Sequence, residues 1–176
     1  MKNGNSIISK SKYLSYLLRH DKEALGNGII DSNGWRLVSE IAERGISKAE
    51  LDEIVETNDK KRFEYSSDSL KIRARQGHSI AVDVELKQMT PPSVLYHGTA
   101  TKYLQSIYEN GILPSSRLYV HLSVDEATAL KVGTRHGSPH VIKIDCNKMV
   151  EDGCIFFLSN NGVWLTNKVL PKYFID

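Results

Sequence analysis

The chain has 176 residues, of which 40% are hydrophobic and 25% charged, and its formal net charge is +2. Such a composition is that of a globular protein, and the length allows one domain with a full core or two small lobes. Positive and negative charges balance in both halves, so any basic binding surface has to be local. There is no apolar core of signal-peptide length and no apolar run of the roughly 20 residues that span a membrane, which predicts a cytoplasmic protein.

The two cysteines, Cys146 and Cys154, do not have the spacing of a metal or disulfide motif. They are not in a CxxC pair, and no histidine lies at metal-ligand spacing from them. We therefore expect two reduced thiols and no bound metal.

An apolar face predicts a helix over residues 9–20. That face consists of Tyr13, Leu14, Leu17 and Leu18. Arg19 and His20 close the helix, where cations are favoured by the helix dipole. A purely structural role therefore explains Arg19 about as well as a functional one.

The next segments predict helices followed by a β-hairpin. Ser47-Lys48-Ala49-Glu50 has the pattern of a capping box, and residues 62–65 and 70–75 alternate around a serine-rich turn. Alternation places one set of side chains on the core face and the other on the opposite face. The first set is Leu70, Ile72 and Ala74, and the second is Lys71, Arg73 and Arg75. Helices with a basic hairpin suggest a winged-helix lobe that handles nucleic acid, and a solvated charged face is the alternative.

Residues 79–90 lead to Pro91-Pro92 and are predicted to be a linker. A strand then enters Tyr96-His97-Gly98-Thr99, and a helical pattern follows over residues 101–110. A strand end of this kind offers main-chain N–H groups and a histidine, which suits a polar or phosphorylated ligand.

The remaining segments predict an α+β second lobe. Residues 117–123 alternate, with His121 and Ser123 on one side, and Ser123 also begins a capping-box pattern that would give it a purely structural role. A helix then runs to Gly133, and Arg135 follows in a loop of glycine, serine and proline, where binding residues are common. Three more strands are predicted, over residues 140–145, 155–158 and 163–166.

Taken in order, these stretches resemble the KptA-type RNA 2′-phosphotransferases, also called tRNA 2′-phosphotransferases. The resemblance extends from about residue 11 to about residue 173, and it is specific because the motifs occur as an ordered set. The motifs are Tyr13-Leu14-Ser15-Tyr16-Leu17-Leu18-Arg19-His20, Gly34-Trp35, Asn58-Asp59-Lys60-Lys61-Arg62-Phe63, Ile72-Arg73-Ala74-Arg75-Gln76-Gly77-His78-Ser79, Tyr96-His97-Gly98-Thr99, His121-Leu122-Ser123, the loop around Arg135, and Gly162-Val163-Trp164-Leu165-Thr166. One departure is Leu170, where relatives often have a proline.

The resemblance implies an α+β protein with two lobes. Residues 1–90 would form a winged-helix-like RNA-binding lobe, and residues 91–176 an NAD-binding lobe with the ADP-ribosyltransferase fold. The active site would lie in the cleft between them. Independently of the resemblance, we expect a monomer, although the sequence does not fix the oligomeric state.

The resemblance also implies a reaction. An internal RNA 2′-phosphate, as left at a tRNA splice junction, attacks the nicotinamide ribose of NAD and expels nicotinamide. The RNA then carries ADP-ribose on its 2′-phosphate. The 2″-hydroxyl of that ribose attacks the phosphorus, which releases RNA with a 2′-OH and ADP-ribose 1″,2″-cyclic phosphate.

The family's catalytic residues map here onto Arg19, His20, Arg73 and Arg135. We expect the three arginines to clamp the 2′-phosphate, because the guanidinium fork binds phosphate oxygens bidentately and stays charged. His20 would bind the phosphate or move a proton in the second step. The residues expected to bind NAD, which is consumed as a co-substrate, are His97, Gly98, Thr99, His121 and Ser123.

Two other functions fit parts of the sequence. One is a nucleic-acid ADP-ribosyltransferase that caps phosphates and stops after the first step, since its phosphate clamp would look the same. The other is a winged-helix nucleic-acid-binding protein without activity, which the basic hairpin supports and the His97 and Arg135 segments oppose.

Overall fold

The computed structural model describes the main chain of residues 3–175 and the side chains of residues 7–175. The chain divides into two compact units, Met1–Glu85 and Leu86–Asp176. Each unit contains both helices and antiparallel strands, which agrees with the predicted α+β class. No helix within the described residues combines the length and apolar character needed to cross a bilayer.

Unit 1 packs four helices with a three-stranded antiparallel sheet of order β1-β3-β2. The elements are α1 (Asn3–Arg19), α2 (Lys22–Gly26), β1 (Arg36–Leu37), α3 (Val38–Glu43), α4 (Lys48–Glu56), β2 (Phe63–Tyr65) and β3 (Lys71–Ala74). Local sequence explains two helix starts. Asp21 accepts a hydrogen bond from Ala24 N–H at the start of α2, and Ser47 with Glu50 forms the predicted capping box of α4.

The main core of unit 1 joins α1, α3 and α4 to the hairpin. Its buried residues are Leu14, Leu17, Leu18, Ile41, Ile46, Leu51, Ile54, Phe63, Ile72 and Ala74. The three leucines belong to the apolar face predicted for α1, whereas Tyr13 on that face is exposed. The apolar face of α1 therefore fixes the position of its last turn, which carries Arg19.

The hairpin differs from the predicted alternation at two positions. Leu70 is exposed, because it precedes β3 in the turn, and Arg73 is buried rather than solvated. Three successive residues of β3, residues 72–74, are buried, so both faces of the strand are covered. Arg73 is covered on its own face by Trp35 and by paired carboxylates.

Unit 2 contains two antiparallel sheets, of order β10-β7-β5 and β4-β8-β9-β6. The strands are β4 (Lys87–Gln88), β5 (Val94–Ala100), β6 (Val120–Leu122), β7 (Pro139–Asp145), β8 (Phe156–Leu158), β9 (Trp164–Thr166) and β10 (Phe174–Ile175). The helices are α5 (Leu104–Asn110), α6 (Glu126–Gly133) and α7 (Cys146–Glu151), with 3₁₀ turns η1 (Thr101–Tyr103), η2 (Thr134–His136) and η3 (Pro171–Tyr173). The core comprises Leu95, Ile112, Val120, Leu122, Ile142, Ile144, Cys146, Met149, Phe156, Trp164, Val169 and Tyr173.

Three sequence predictions for unit 2 are corrected. Lys87–Gln88, placed in the linker, is a strand paired with β8. Asp125, not Ser123, caps α6 by accepting the Thr128 N–H. Arg135 lies in the 3₁₀ turn η2 that continues α6, and not in an irregular loop.

Strand β5 and helix α6 approach each other closely at two glycines. A Cβ on Gly98 would lie 1.7 Å from the Ala129 carbonyl oxygen, and one on Gly133 would lie 2.5 Å from the Thr99 carbonyl oxygen. Any side chain at either position would therefore push the helix away from the strand. The glycine of the His97-Gly98 motif is thus required by packing, independently of any ligand.

Candidate functional site

The last turn of α1 presents Arg19 and His20 in a buried, hydrogen-bonded setting. Arg19 is mostly buried, donates from Nη1 to Ser15 Oγ at 3.0 Å, and lies over the Phe63 ring. His20 Nδ1 is 2.9 Å from Ser79 Oγ, and the Ser79 N–H donates to the Arg19 carbonyl at 3.0 Å. Ser79 therefore ties the segment after the hairpin to the end of α1.

Arg73 extends from the middle of β3 and is held on several sides. Its Nε donates to Glu64 at 2.7 Å, and its Nη1 donates to Glu85 at 3.0 Å and to the Asn33 carbonyl at 3.3 Å. The guanidinium carbon lies 4.3 Å from the centre of the Trp35 ring, which is a cation–π arrangement. The contacts with Glu64, Asn33 and Trp35 fix the plane of the guanidinium group before any ligand binds.

His78 lies among these cations. Only 3% of it is exposed, and its Nε2 has no hydrogen-bond partner within the described part of the chain. Burial, followed by the nearby charges of Arg19, His20 and Arg73, lowers the pKa of His78 to about 3. The imidazole is therefore neutral at physiological pH and adds no further positive charge to the group.

Behind Arg19 and His20, the fully buried side chain of Arg36 supports the chain. Its Nη1 donates to the Leu17 carbonyl and to Asp21, each at 3.0 Å, and its Nε and Nη2 donate to Glu40. Leu17 precedes Arg19 by two residues and Asp21 follows His20 directly. Arg36 thus holds the main chain on both sides of the predicted catalytic pair.

In unit 2, strands β5 and β6 meet at one bridge and bring two histidines together. Tyr96 and Ser123 exchange two main-chain hydrogen bonds of 2.9 and 2.8 Å. Next to this bridge, His97 Nδ1 donates to the His121 carbonyl at 3.2 Å, which leaves Nε2 as the acceptor of the neutral ring. Burial, and secondarily the charge of His136, lowers the pKa of His97 and favours that neutral form.

The main chain of Gly98 points to the same edge of β5 as that of Tyr96. Tyr96 bonds Ser123 on the side away from β7, and hydrogen-bonding directions alternate along an antiparallel strand. Gly98 N–H and C=O therefore face the β6 side of β5, beyond the bridge. Thr99, the next residue, is buried against Gly133 of α6.

Arg135 is exposed in η2 and has a second arginine nearby. Arg117 is also exposed, and desolvation followed by the charge of Arg135 lowers the pKa of its guanidinium group. Two positive charges that repel each other form a favourable place for an anion. Sequence reasoning did not select Arg117, because it precedes its strand without a motif of its own.

The predicted site residues fall into two groups, one in each unit. Unit 1 holds Arg19, His20 and Arg73 around His78, and unit 2 holds His97, Gly98, Thr99, His121 and Ser123 together with Arg135. Sequence reasoning missed the supporting residues Ser79, Trp35, Glu64 and Arg36. The first two lie in the quoted motifs, which was the available signal, whereas the contacts of Glu64 and Arg36 depend on tertiary structure.

Comparison with known proteins agrees with the motifs. A family model described as "RNA 2'-phosphotransferase, Tpt1 / KptA family" matches residues 5–168. A protein of Acaryochloris marina named "Probable RNA 2'-phosphotransferase" is 48% identical over 172 residues, covering 94% of each chain. Proteins with the same name from Flavobacterium johnsoniae and Pectobacterium carotovorum are 47% and 49% identical, covering 97% and 94% of this chain and 97% and 92% of their own. The chain therefore belongs to the RNA 2′-phosphotransferase, Tpt1 / KptA family, a family of transferases, as its motifs predict.

Proposed function

We propose that this chain is an NAD-dependent RNA 2′-phosphotransferase that removes an internal 2′-phosphate, such as that of a tRNA splice junction. The phosphate is transferred to NAD by way of RNA that carries ADP-ribose on its 2′-phosphate. The products are RNA with a 2′-OH, nicotinamide and ADP-ribose 1″,2″-cyclic phosphate.

The observation that carries the proposal is that Ser79 holds Arg19 and His20 together at the end of α1, in the same unit as Arg73 and the neutral His78. A multiply charged anion stabilises the guanidinium groups of Arg19 and Arg73 when it binds to both of them. A phosphate monoester carries roughly −1.5 to −2 charges at neutral pH and has three acceptor oxygens. The family name supports the same ligand.

The roles of the four catalytic residues follow from the charge of the nucleophile. The phosphate is already anionic, so it needs orientation and charge stabilisation more than a general base. Arg19 and Arg73 of unit 1 and Arg135 of unit 2 supply guanidinium groups that bind its oxygens. His20, oriented by Ser79, binds the phosphate or carries the proton from the attacking 2″-hydroxyl to the departing RNA 2′-oxygen.

The edge of β5 has the donors and acceptors that NAD requires. NAD supplies an electrophilic ribose carbon with nicotinamide as leaving group. Gly98 N–H and C=O form a donor–acceptor pair that complements a carboxamide, and His97 Nε2 can accept from a ribose hydroxyl. Thr99, His121 and Ser123 complete this group, and the Arg117–Arg135 pair offers positive charge to a phosphate.

The lobe assignments belong to the same proposal. Unit 1 acts as a winged-helix-like RNA-binding lobe, supported by helices α3 and α4 followed by the β2–β3 hairpin. Unit 2 acts as an ADP-ribosyltransferase-like NAD-binding lobe, supported by the separation of β5 and β6 beyond the Tyr96–Ser123 bridge.

The test is to incubate the protein with an oligoribonucleotide that bears one internal 2′-phosphate, with and without NAD, and to identify all products by mass. We expect dephosphorylated RNA, nicotinamide and ADP-ribose cyclic phosphate only when NAD is present. An RNA that keeps ADP-ribose would instead indicate a phosphate-capping enzyme. Unchanged RNA that remains bound would indicate a nucleic-acid-binding protein.

Binding of NAD is tested separately by thermal unfolding. A ligand at one hundred times its dissociation constant stabilises the folded state by about 2.7 kcal/mol. We expect such a shift at millimolar NAD, and its absence would count against the role of the β5 edge.

A further inference from the structure

The Arg73 guanidinium group is already occupied by carboxylates on two of its three nitrogens. Nε donates to Glu64 and Nη1 donates to Glu85. Nη2 makes no hydrogen bond with any residue that the structure describes. A phosphate that uses both terminal nitrogens of the fork can therefore bind only after Glu85 has moved.

The two carboxylates are held very differently. The Glu64 side chain is 15% exposed, faces Arg73 across the β2–β3 pair, and also lies 3.1 Å from Arg75 Nε. The Glu85 side chain is 64% exposed, and among the described residues Arg73 is the one that pairs with its carboxylate by an ion pair or hydrogen bond. Glu64 is thus a fixed part of the Arg73 setting, whereas Glu85 can move into solvent.

The main chain places Glu85 at Arg73 by specific contacts. The Glu85 N–H donates to Asp83 Oδ1 at 2.9 Å, and the Asp83 N–H donates to the Ser32 carbonyl at 2.8 Å. Glu85 has a φ of 56°, in the left-handed region that glutamate rarely adopts. Its side chain is therefore directed to Arg73 by the turn that precedes it.

We propose that Glu85 occupies the phosphate position on Arg73 in the free protein and makes the enzyme selective for the 2′-phosphate over the phosphodiesters of RNA. This rests on the proposed role of Arg73. A phosphodiester carries a single negative charge, as the Glu85 carboxylate does, so it gains little by displacing Glu85. A phosphate monoester carries roughly −1.5 to −2 charges and offers three acceptor oxygens, so it replaces Glu85 readily.

The experiment uses Glu85→Gln, which removes the charge and keeps the size of the side chain. Glu43→Gln is the matched control, because Glu43 is an exposed glutamate of the same unit at the end of α3. We would measure kcat and KM for the 2′-phosphorylated oligoribonucleotide, and the inhibition constant of the same oligonucleotide without the 2′-phosphate. Both are measured at one fixed salt concentration, because phosphodiester binding depends strongly on salt.

We expect Glu85→Gln to lower the inhibition constant of the unphosphorylated RNA about two- to fivefold relative to Glu43→Gln, within the range of one exposed ion pair. Because Glu85 leaves Arg73 before the reaction, its replacement should change KM more than kcat. Equal inhibition constants in the two variants would overturn the proposal. So would a large loss of kcat, which would place Glu85 in the reaction itself.

Direct binding separates this proposal from the proposed function. Fluorescence anisotropy of the two labelled oligonucleotides gives the ratio of their affinities without turnover. If the wild type bound both but released no product, the proposed function would fail, and the ratio in Glu85→Gln would still decide the role of Glu85. An unchanged ratio relative to Glu43→Gln would again overturn it.

Discussion

Arg36 Nη1 and Asp21 Oδ2 lie 3.0 Å apart in an ion pair. Arg36 also binds the Leu17 carbonyl, so it contacts the chain on both sides of Arg19 and His20. The Arg36 side chain is completely buried, so both of its carboxylate partners, Asp21 and Glu40, are needed to compensate its charge. The Arg36–Asp21 pair therefore connects the end of α1, through the Leu17 carbonyl, with the start of α2, through the Ala24 N–H.

The first prediction concerns the stability of that arrangement. Arg36→Met should lower the free energy of unfolding by about 3–5 kcal/mol, because it leaves Asp21 and Glu40 as uncompensated carboxylates. Urea denaturation at neutral pH measures this. The control Arg44→Met removes an arginine that also donates to Glu40 but is 46% exposed, and should cost no more than about 1 kcal/mol. Equal losses in both variants would contradict the buried role.

The same pair predicts an acid dependence. Burial raises the pKa of Asp21, but hydrogen bonds from Ala24 N–H and Arg36 outweigh it, and those from Arg36 lower the pKa of Glu40. A carboxyl group whose folded pKa is depressed stabilises the protein above its ordinary pKa of about 4 and loses that contribution as the pH falls further. The difference in the free energy of unfolding between wild type and Arg36→Met should therefore become smaller below about pH 4. Urea denaturation at a series of pH values measures it.

His78 predicts a second, separate pH dependence. Its imidazole stays neutral in the folded protein down to a pKa of about 3, whereas it is protonated in the unfolded chain below about pH 6.5. The unfolded state then binds more protons, so the free energy of unfolding decreases as the pH is lowered, by roughly 1–2 kcal/mol between pH 6.5 and pH 5. His78→Gln should remove this slope. His136→Gln, at an exposed position, is the control and should retain it.

The fourth prediction separates packing from ligand binding at Gly98. Because an added Cβ would lie 1.7 Å from the Ala129 oxygen, Gly98→Ala should cost unit 2 more than about 3 kcal/mol or prevent its folding. Circular dichroism during urea denaturation reports the loss. Gly26→Ala is the control, since nothing lies within 4 Å of an added Cβ there, and it should change stability by no more than about 1 kcal/mol. A folded Gly98→Ala protein that had lost only NAD binding would contradict the packing argument.

The fifth prediction compares the two arginines of the hairpin. Arg73→Ala should lower kcat for the 2′-phosphorylated RNA at least about a hundredfold, as expected when a donor to the reacting group is removed. Arg75→Ala should keep kcat within about tenfold, because Glu64 would still hold Arg73. Circular dichroism establishes that both variants fold. Loss of turnover in Arg75→Ala with retention in Arg73→Ala would reject the assignment of the catalytic residues.

Local signals in the sequence were reliable where the interaction is itself local. The Ser47–Glu50 capping box and the strand through Tyr96 formed as predicted, because their partners lie within a few residues or follow from alternation. Alternation placed Arg73 on the outer face of the hairpin, and its burial there does not follow from the local sequence because its covering groups, Trp35 and Glu85, come from distant positions. The burial of Arg36 was missed for the same reason.

Ser123 shows the converse error. It has the pattern of a helix cap, but its main chain is committed to the bridge with Tyr96, and the cap is made by Asp125. A capping pattern predicts a helix cap only where the main chain of the residue is not already paired with a strand. The two-residue strand β4 could not be predicted either. Its sequence carries no strand pattern, and its extended conformation comes from pairing with β8.

The glycine contact between β5 and α6 has a consequence for the timing of substrate binding. Gly133 lies against the main chain of Thr99, and η2 with Arg135 follows directly from Gly133. The residues proposed to receive NAD and the arginine proposed to receive the phosphate are therefore kept at a constant separation by main-chain packing. Folding therefore fixes the relative position of the two binding sites in advance. This lowers the entropy that is lost when the two reactants are oriented relative to each other.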